Sequence, residues 1–148
     1  MDKMGSNVIT QVAIVVKDVE KTARAYAEVF GMPVPNVIIT DTEDKSQIRY
    51  HGQPTSGRAK LAFFKLGAVS LEIIEPVGGP STWQEFLDTR GEGIHHIAFE
   101  VKGMTETIRF LESKGMPLVQ KGEYTGGRYA YMDSAAKLAA ILELLEND

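Results

Sequence analysis

The chain repeats itself, and the repeat limits the folds open to it more than any other feature. Residues 11–34 read QVAIVVKDVEKTARAYAEVFGMPV, and residues 96–119 read HIAFEVKGMTETIRFLESKGMPLV. Ala13 aligns with Ala98, Val16 with Val101, Lys17 with Lys102, Thr22 with Thr107 and Arg24 with Arg109. One deletion then brings Gly31-Met32-Pro33 onto Gly115-Met116-Pro117. Two copies of one supersecondary unit argue for duplicated modules that bury their apolar faces together. Each copy opens on an apolar run expected as a strand, near 8–16 and near 94–101. A helix follows each. Asp18 is placed to cap the first, and Val19, Ala23, Tyr26 and Phe30 recur at helical spacing, as Met104, Ile108 and Leu111 do in the second. Gly31 and Gly115 suit the left-handed position that ends a helix, and Pro33 blocks continuation.

Strand-like runs complete each copy. In the first they fall at 47–50, 61–66 and 70–74, the last two joined by a turn at Gly67; their counterparts are 118–121, 128–132 and 140–145. The repeat resurfaces at its end, where LEIIE at 71–75 parallels LELLE at 142–146. The expected class is α+β, one domain over 1–148. It is built from two tandem β-α-β-β-β modules, about 8–76 and about 93–146, with a linker helix at about 81–90. Ser81 and Gln84 form a capping-box pattern there, ahead of Trp83, Phe86 and Leu87. Residues 35–60 are polar and turn-rich and are expected as a mobile flap over a site.

Composition narrows the chemistry. The 148 residues include no cysteine, which removes disulfides, thiol nucleophiles, thiolate zinc sites and iron–sulfur clusters. A formal net charge of −4 offers no attraction to a polyanion, so nucleic acid is not an expected partner. No uncharged apolar stretch approaches the roughly 18–20 residues of a membrane-spanning helix, and MDKMGSN at the start lacks a signal-peptide core. A cytoplasmic domain acting on a small molecule, away from membranes, is the expectation.

Period-two geometry then sorts the strand side chains. Gln11 shares a face with Ile9, Ala13 and Val15, while Val12, Ile14 and Val16 face the helices. The repeat places His96 at the position of Gln11, and Glu72 at the position of Glu143. All four stand in apolar strand segments. A polar residue in a strand ordinarily points to solvent or bonds to its neighbours. Two carboxylates buried together repel one another and lose hydration, however, unless something compensates. One divalent cation held by Gln11, Glu72, His96 and Glu143 would do so. An imidazole, two carboxylates and an amide oxygen suit Co, Mn, Ni, Zn or Fe.

These segments resemble the vicinal oxygen chelate superfamily, which includes glyoxalase I, methylmalonyl-CoA epimerase, ring-cleaving dioxygenases and bleomycin-resistance proteins. The likeness runs from QVAIVVKDVEKTARAYAEVFGM to ILELLE and is nearest to the epimerases in AFFKLGAVSLEIIEPVG and GEGIHHIAFEVKGM. It implies a curved mixed sheet cupping one metal ion per chain, a glyoxalase-like fold, with Gln11, Glu72, His96 and Glu143 as ligands. It also implies a homodimer. Two departures stand out: the epimerases usually carry His where this chain has Gln11, and they tend to carry a His-Pro-Lys segment and a Gly-Gly pair. Here those stretches read Met132-Asp133-Ser134-Ala135 and Leu138-Ala139-Ala140.

The function the resemblance implies is epimerisation of a 2-substituted acyl-CoA thioester through a metal-stabilised enolate. Glu143 is the expected base, because the family uses its last-strand carboxylate so, and Glu72 is either the second acid/base or a purely structural ligand. A glyoxalase I-type lyase and a non-catalytic resistance-type binder are the alternatives. A ring-cleaving dioxygenase fits poorly, since it wants two His and one carboxylate on iron. Gly126, Gly127 and Arg128 are further candidates, offering N–H groups and a guanidinium to a substrate anion. His95 is expected on the face opposite His96, packed or supporting the site from behind, with His51 on the surface and Trp83 in the core.

Overall fold

A computed structural model describes residues 2–148. In chain order its elements are β1 (Ile9–Val15), α1 (Val19–Phe30), β2 (Ile38–Ile39), α2 (Glu43–Ser46), β3 (Arg49–Tyr50), β4 (Gln53–Pro54), β5 (Arg58–Leu66) and β6 (Val69–Val77). The helix α3 (Thr82–Arg90) leads into β7 (Gly93–Glu100), α4 (Met104–Ser113), β8 (Leu118–Tyr124), β9 (Gly127–Met132), α5 (Ala135–Leu138) and β10 (Ile141–Asn147). The strands form one curled mixed sheet in the order β2-β5-β6-β1-β7-β10-β9-β8-β3-β4. Its first eight positions are symmetric about the antiparallel β1–β7 seam. β1 lies parallel to β6, and β7 lies parallel to β10.

Local chemistry explains why the copies fold alike. Asp18 Oδ1 accepts from the Lys21 N–H at 3.1 Å, and α1 ends at Gly31 with φ of 64°. The repeated LEIIE and LELLE segments do the same work twice. Glu75 Oε1 accepts from the Val19 N–H at 2.9 Å, and Glu146 Oε2 accepts from the N–H groups of Gly103 and Met104 at 2.6 and 3.1 Å. Each carboxylate thus satisfies otherwise unpaired donors at a helix N-terminus, where the helix dipole favours negative charge. Apolar stripes close the convex side: Val19, Ala23 and Ala27 of α1 on Ile73 and Phe64, and Met104 and Leu111 of α4 on Phe99 and Leu144. On the concave side, Trp83 of α3 packs with Ala13, Val15, Ile74 and Tyr131.

The strand expected at 47–50 is corrected. Only Arg49 and Tyr50 are strand, and they pair with Lys121 and Gln120 on β8, in the other half of the sheet. The topological counterpart of β8 is the two-residue β2, paired with β5. An alternating run shows that a segment can be a strand, but its partner is chosen by long-range geometry. The expected flap therefore runs as a strap from one sheet edge to the other. The N–H of Thr40 bonds to Ala59 O at one end and that of His51 to Val119 O at the other, and Ser46 and Ile48 are buried between.

Candidate active site

Gln11 on β1, Glu72 on β6, His96 on β7 and Glu143 on β10 lie on four adjacent strands and converge on the concave face. The register shows how. Ala13 sits between Glu72 and His96, and Ala98 sits between Gln11 and Glu143. Both alanines are fully buried, and their small side chains leave the longer ones room to meet. His96 Nε2 lies 3.2 Å from Gln11 Oε1, 3.1 Å from Glu143 Oε1 and 3.5 Å from Glu72 Oε1.

The carboxylate contacts have ion-pair spacing, yet burial decides the protonation. It lowers His96 to about 3, so the imidazole is neutral. Burial raises Glu143 to about 8, with the Tyr131 hydroxyl acting the other way, and raises Glu72 well above the carboxylate range with help from the charge of Glu143. Without a cation, the site keeps its protons. Glu72 Oε1 and Glu143 Oε1 are buried without a hydrogen-bond partner, the condition a bound cation relieves.

Among the described residues, no three His, Asp or Glu side chains already stand as a preformed metal cage. The donor set nonetheless fits one. Neighbouring ligands on an octahedron with bonds near 2.1 Å are about 3.0 Å apart, close to the 3.1–3.5 Å separations from Nε2. Gln11, Glu72, His96 and Glu143 are the side chains that could hold a divalent ion.

Gln11, Glu72 and Glu143 line a cavity of about 520 Å³, with His96 buried beneath them. Its walls include Ile38, Ile39, Leu61, Phe63, Tyr129 and Leu145, with Asp41 and Glu123 also lining it. Trp83 reaches it as well, and its Nε1–H donates to the Tyr131 hydroxyl at 3.0 Å. Tyr129 and Tyr131 are legible in the sequence as an alternating pair on β9. The segment expected as a flap over a site does supply part of the lining, through Ile38, Ile39, Thr40, Asp41, Ser46 and Ile48.

The face expected for His95 is corrected, although its side chain is packed. Between Ala13↔His96 and Ile14↔Ile94 the register slips, leaving His95 as an extra residue. Such a bulge turns two successive side chains to one face. His95 accordingly packs on Phe86 and Tyr131, with its Nδ1 2.8 Å from Nδ1 of His96. Gly126, Gly127 and Arg128 do not join the site. Gly126 holds the β8–β9 turn with φ of 93°, and Arg128 pairs with Glu146 at 3.1 Å and with Asp148. His51 is exposed in the strap turn, as expected.

The fold has a family. The chain belongs to the Glyoxalase/Bleomycin resistance protein/Dioxygenase superfamily, whose family model matches residues 10–131. It is 30% identical over 92 residues to the uncharacterized protein YqjC of Bacillus subtilis, covering 60% of this chain and 66% of that one. It is 27% identical over 107 residues to mitochondrial methylmalonyl-CoA epimerase of Mus musculus, covering 72% of this chain and 52% of that one. The matches thus span between about half and two thirds of these relatives. A single-residue variant of Streptomyces coelicolor methylmalonyl-CoA epimerase, solved in complex with 2-nitronate-propionyl-CoA, superposes with a TM-score of 0.64 at 20% identity, over 95% of this chain and 94% of that one. The fold is the glyoxalase-like one. No described helix is long and apolar enough to cross a membrane.

Proposed function

We propose that the chain is a metal-assisted epimerase of a 2-substituted acyl-CoA thioester. The observation that carries this reading is the pair of buried carboxyls, Glu72 and Glu143, beside a neutral His96 at the floor of a cavity with apolar walls. Similarity to methylmalonyl-CoA epimerases supports the reaction type. A divalent cation held by Gln11, Glu72, His96 and Glu143 would supply a Lewis acid beside the thioester oxygen and its neighbour.

The chain's own residues move the proton. Glu143, ionised, takes hydrogen from C2, and the C–H electron pair passes into the adjacent carbonyl as an enolate. Glu72 returns a proton to the opposite face. Carboxyls raised towards neutrality suit this exchange, because each must both accept and release a proton at working pH. The apolar side chains of the lining lower the local dielectric, which strengthens charge interactions at the reacting centre. The same transfer on a glutathione hemithioacetal is glyoxalase I chemistry, which a methylglyoxal and glutathione assay distinguishes.

The test is C2 hydrogen exchange. Protein loaded with Mn, Co, Ni or Zn, incubated in deuterated water with a methylmalonyl-type thioester, should place deuterium at C2. No exchange with any of these metals overturns the proposal. The homodimer that the resemblance implies is checked by sedimentation equilibrium.

A further inference from the structure

His95 is a buried polar residue that the proton transfer above leaves unused. The bulge in β7 turns its ring to the face of His96, where it stands edge-on to Phe86 and to Tyr131, each ring centroid 5.3 Å away. Among the described residues the ring's one hydrogen bond is to His96, Nδ1 to Nδ1 at 2.8 Å, and its Nε2 is buried without a partner. A ring wanted only for packing would be cheaper as phenylalanine, because an unpaired buried nitrogen costs free energy.

Two ring nitrogens at that distance share a single hydrogen: one donates and the other accepts. Which one donates is decided on the far side of His96. Its Nε2 faces Gln11 Oε1, Glu143 Oε1 and Glu72 Oε1 at 3.2, 3.1 and 3.5 Å. Binding a cation among those oxygens uses the lone pair of Nε2, and a neutral imidazole then carries its hydrogen on Nδ1. His96 is fully buried, so that hydrogen needs a protein acceptor. The Nδ1 lone pair of His95 is in place to be one.

Resting on the cation site of the epimerase reading, we propose that His95 is the positioning residue of that site. Its Nδ1 accepts the Nδ1–H of His96 and so fixes the tautomer and ring angle in which Nε2 is offered to a cation. Its own hydrogen stays on Nε2. His95 does not line the cavity, and it acts only through His96.

Two substitutions separate positioning from packing, because they fail in opposite ways. His95→Phe keeps an aromatic ring against Phe86 and Tyr131 and deletes the acceptor. His95→Asn gives up the ring and keeps an acceptor oxygen two bonds from Cβ, where Nδ1 stands. In a competition titration with Zn or Co, His95→Phe should bind about 10- to 100-fold more weakly than wild type, and His95→Asn should recover most of that loss. Histidine 15N NMR of the zinc-loaded wild type should place the hydrogen of His96 on Nδ1 and that of His95 on Nε2. Wild-type affinity in His95→Phe, a folded His95→Asn that binds no better than His95→Phe, or a hydrogen on His95 Nδ1 in the zinc-loaded protein overturns the inference. If His95→Asn does not fold, His95→Phe and the NMR tautomers still decide. The two readings fail separately. A wild type that takes up neither Zn nor Co defeats both, and zinc uptake unchanged by His95→Phe defeats only the role of His95. The expected affinities without C2 exchange in any metal-loaded protein defeat the epimerase and leave His95 in its role.

Discussion

Replacing Glu143 by Gln should make the metal-free protein less sensitive to alkaline pH. Burial raises this carboxyl from an ordinary 4.5 to about 8. Below pH 4.5 it is protonated in both folded and unfolded chains and contributes no pH dependence. Between 4.5 and about 8 the unfolded chain releases the proton while the folded one keeps it, so stability falls by about 1.4 kcal/mol per pH unit. Above 8 the loss stops growing. His96 works in the opposite direction and only at lower pH, since its drop from 6.5 to about 3 weakens the fold as pH falls below 6.5. Between pH 6.5 and 8, then, His96 contributes little and Glu143 costs about 2 kcal/mol. Urea unfolding of chelator-treated protein at those two pH values, followed by Trp83 fluorescence, reads the difference. Wild type should lose about 2 kcal/mol more than Glu143→Gln across the window. Glu72 shares the direction of the shift, so the variant keeps a residual slope. Parallel losses in the two proteins would refute the picture of a carboxyl that burial keeps protonated.

The remaining predictions concern the same donors and the repeat. Gln11→Ala and Glu143→Ala should each weaken Co or Zn binding by tenfold or more in a competition titration, on the order of 1.4 kcal/mol per decade; binding equal to wild type would remove these residues from the site. Metal uptake at pH 7 should release the proton of Glu143, the base, seen as a calorimetric heat that varies with buffer ionisation enthalpy. Glu75→Ala deletes the acceptor at the Val19 N–H and should cost about 1 kcal/mol in urea unfolding without changing metal affinity.

Much of this molecule is written locally. Asp18, Gly31 and Gly115 announce where helices begin and end, because caps and left-handed turns involve residues a few positions apart. The repeat carries the rest of that message, since two segments with one pattern must bury the same faces. What local pattern misses is non-local. Period two puts His95 on the wrong face, because a bulge is a mismatch between two strands that neither strand displays alone. The run at 47–50 points to the wrong edge of the sheet, because alternation carries no address for its partner. Arg128 looks free in the sequence, and folding brings Glu146 and Asp148 beside it.

The four polar residues show the division most plainly. The sequence determined that Gln11, His96, Glu72 and Glu143 occupy matched positions in two copies, and so that they come as a set. Only the order β6-β1-β7-β10, with an alanine between neighbours, decides that they meet around one nitrogen. That convergence buries two carboxyls together, and burial rather than residue type raises their affinity for protons. Distance and desolvation belong to the folded sheet, and they turn four ordinary side chains into a candidate for catalysis.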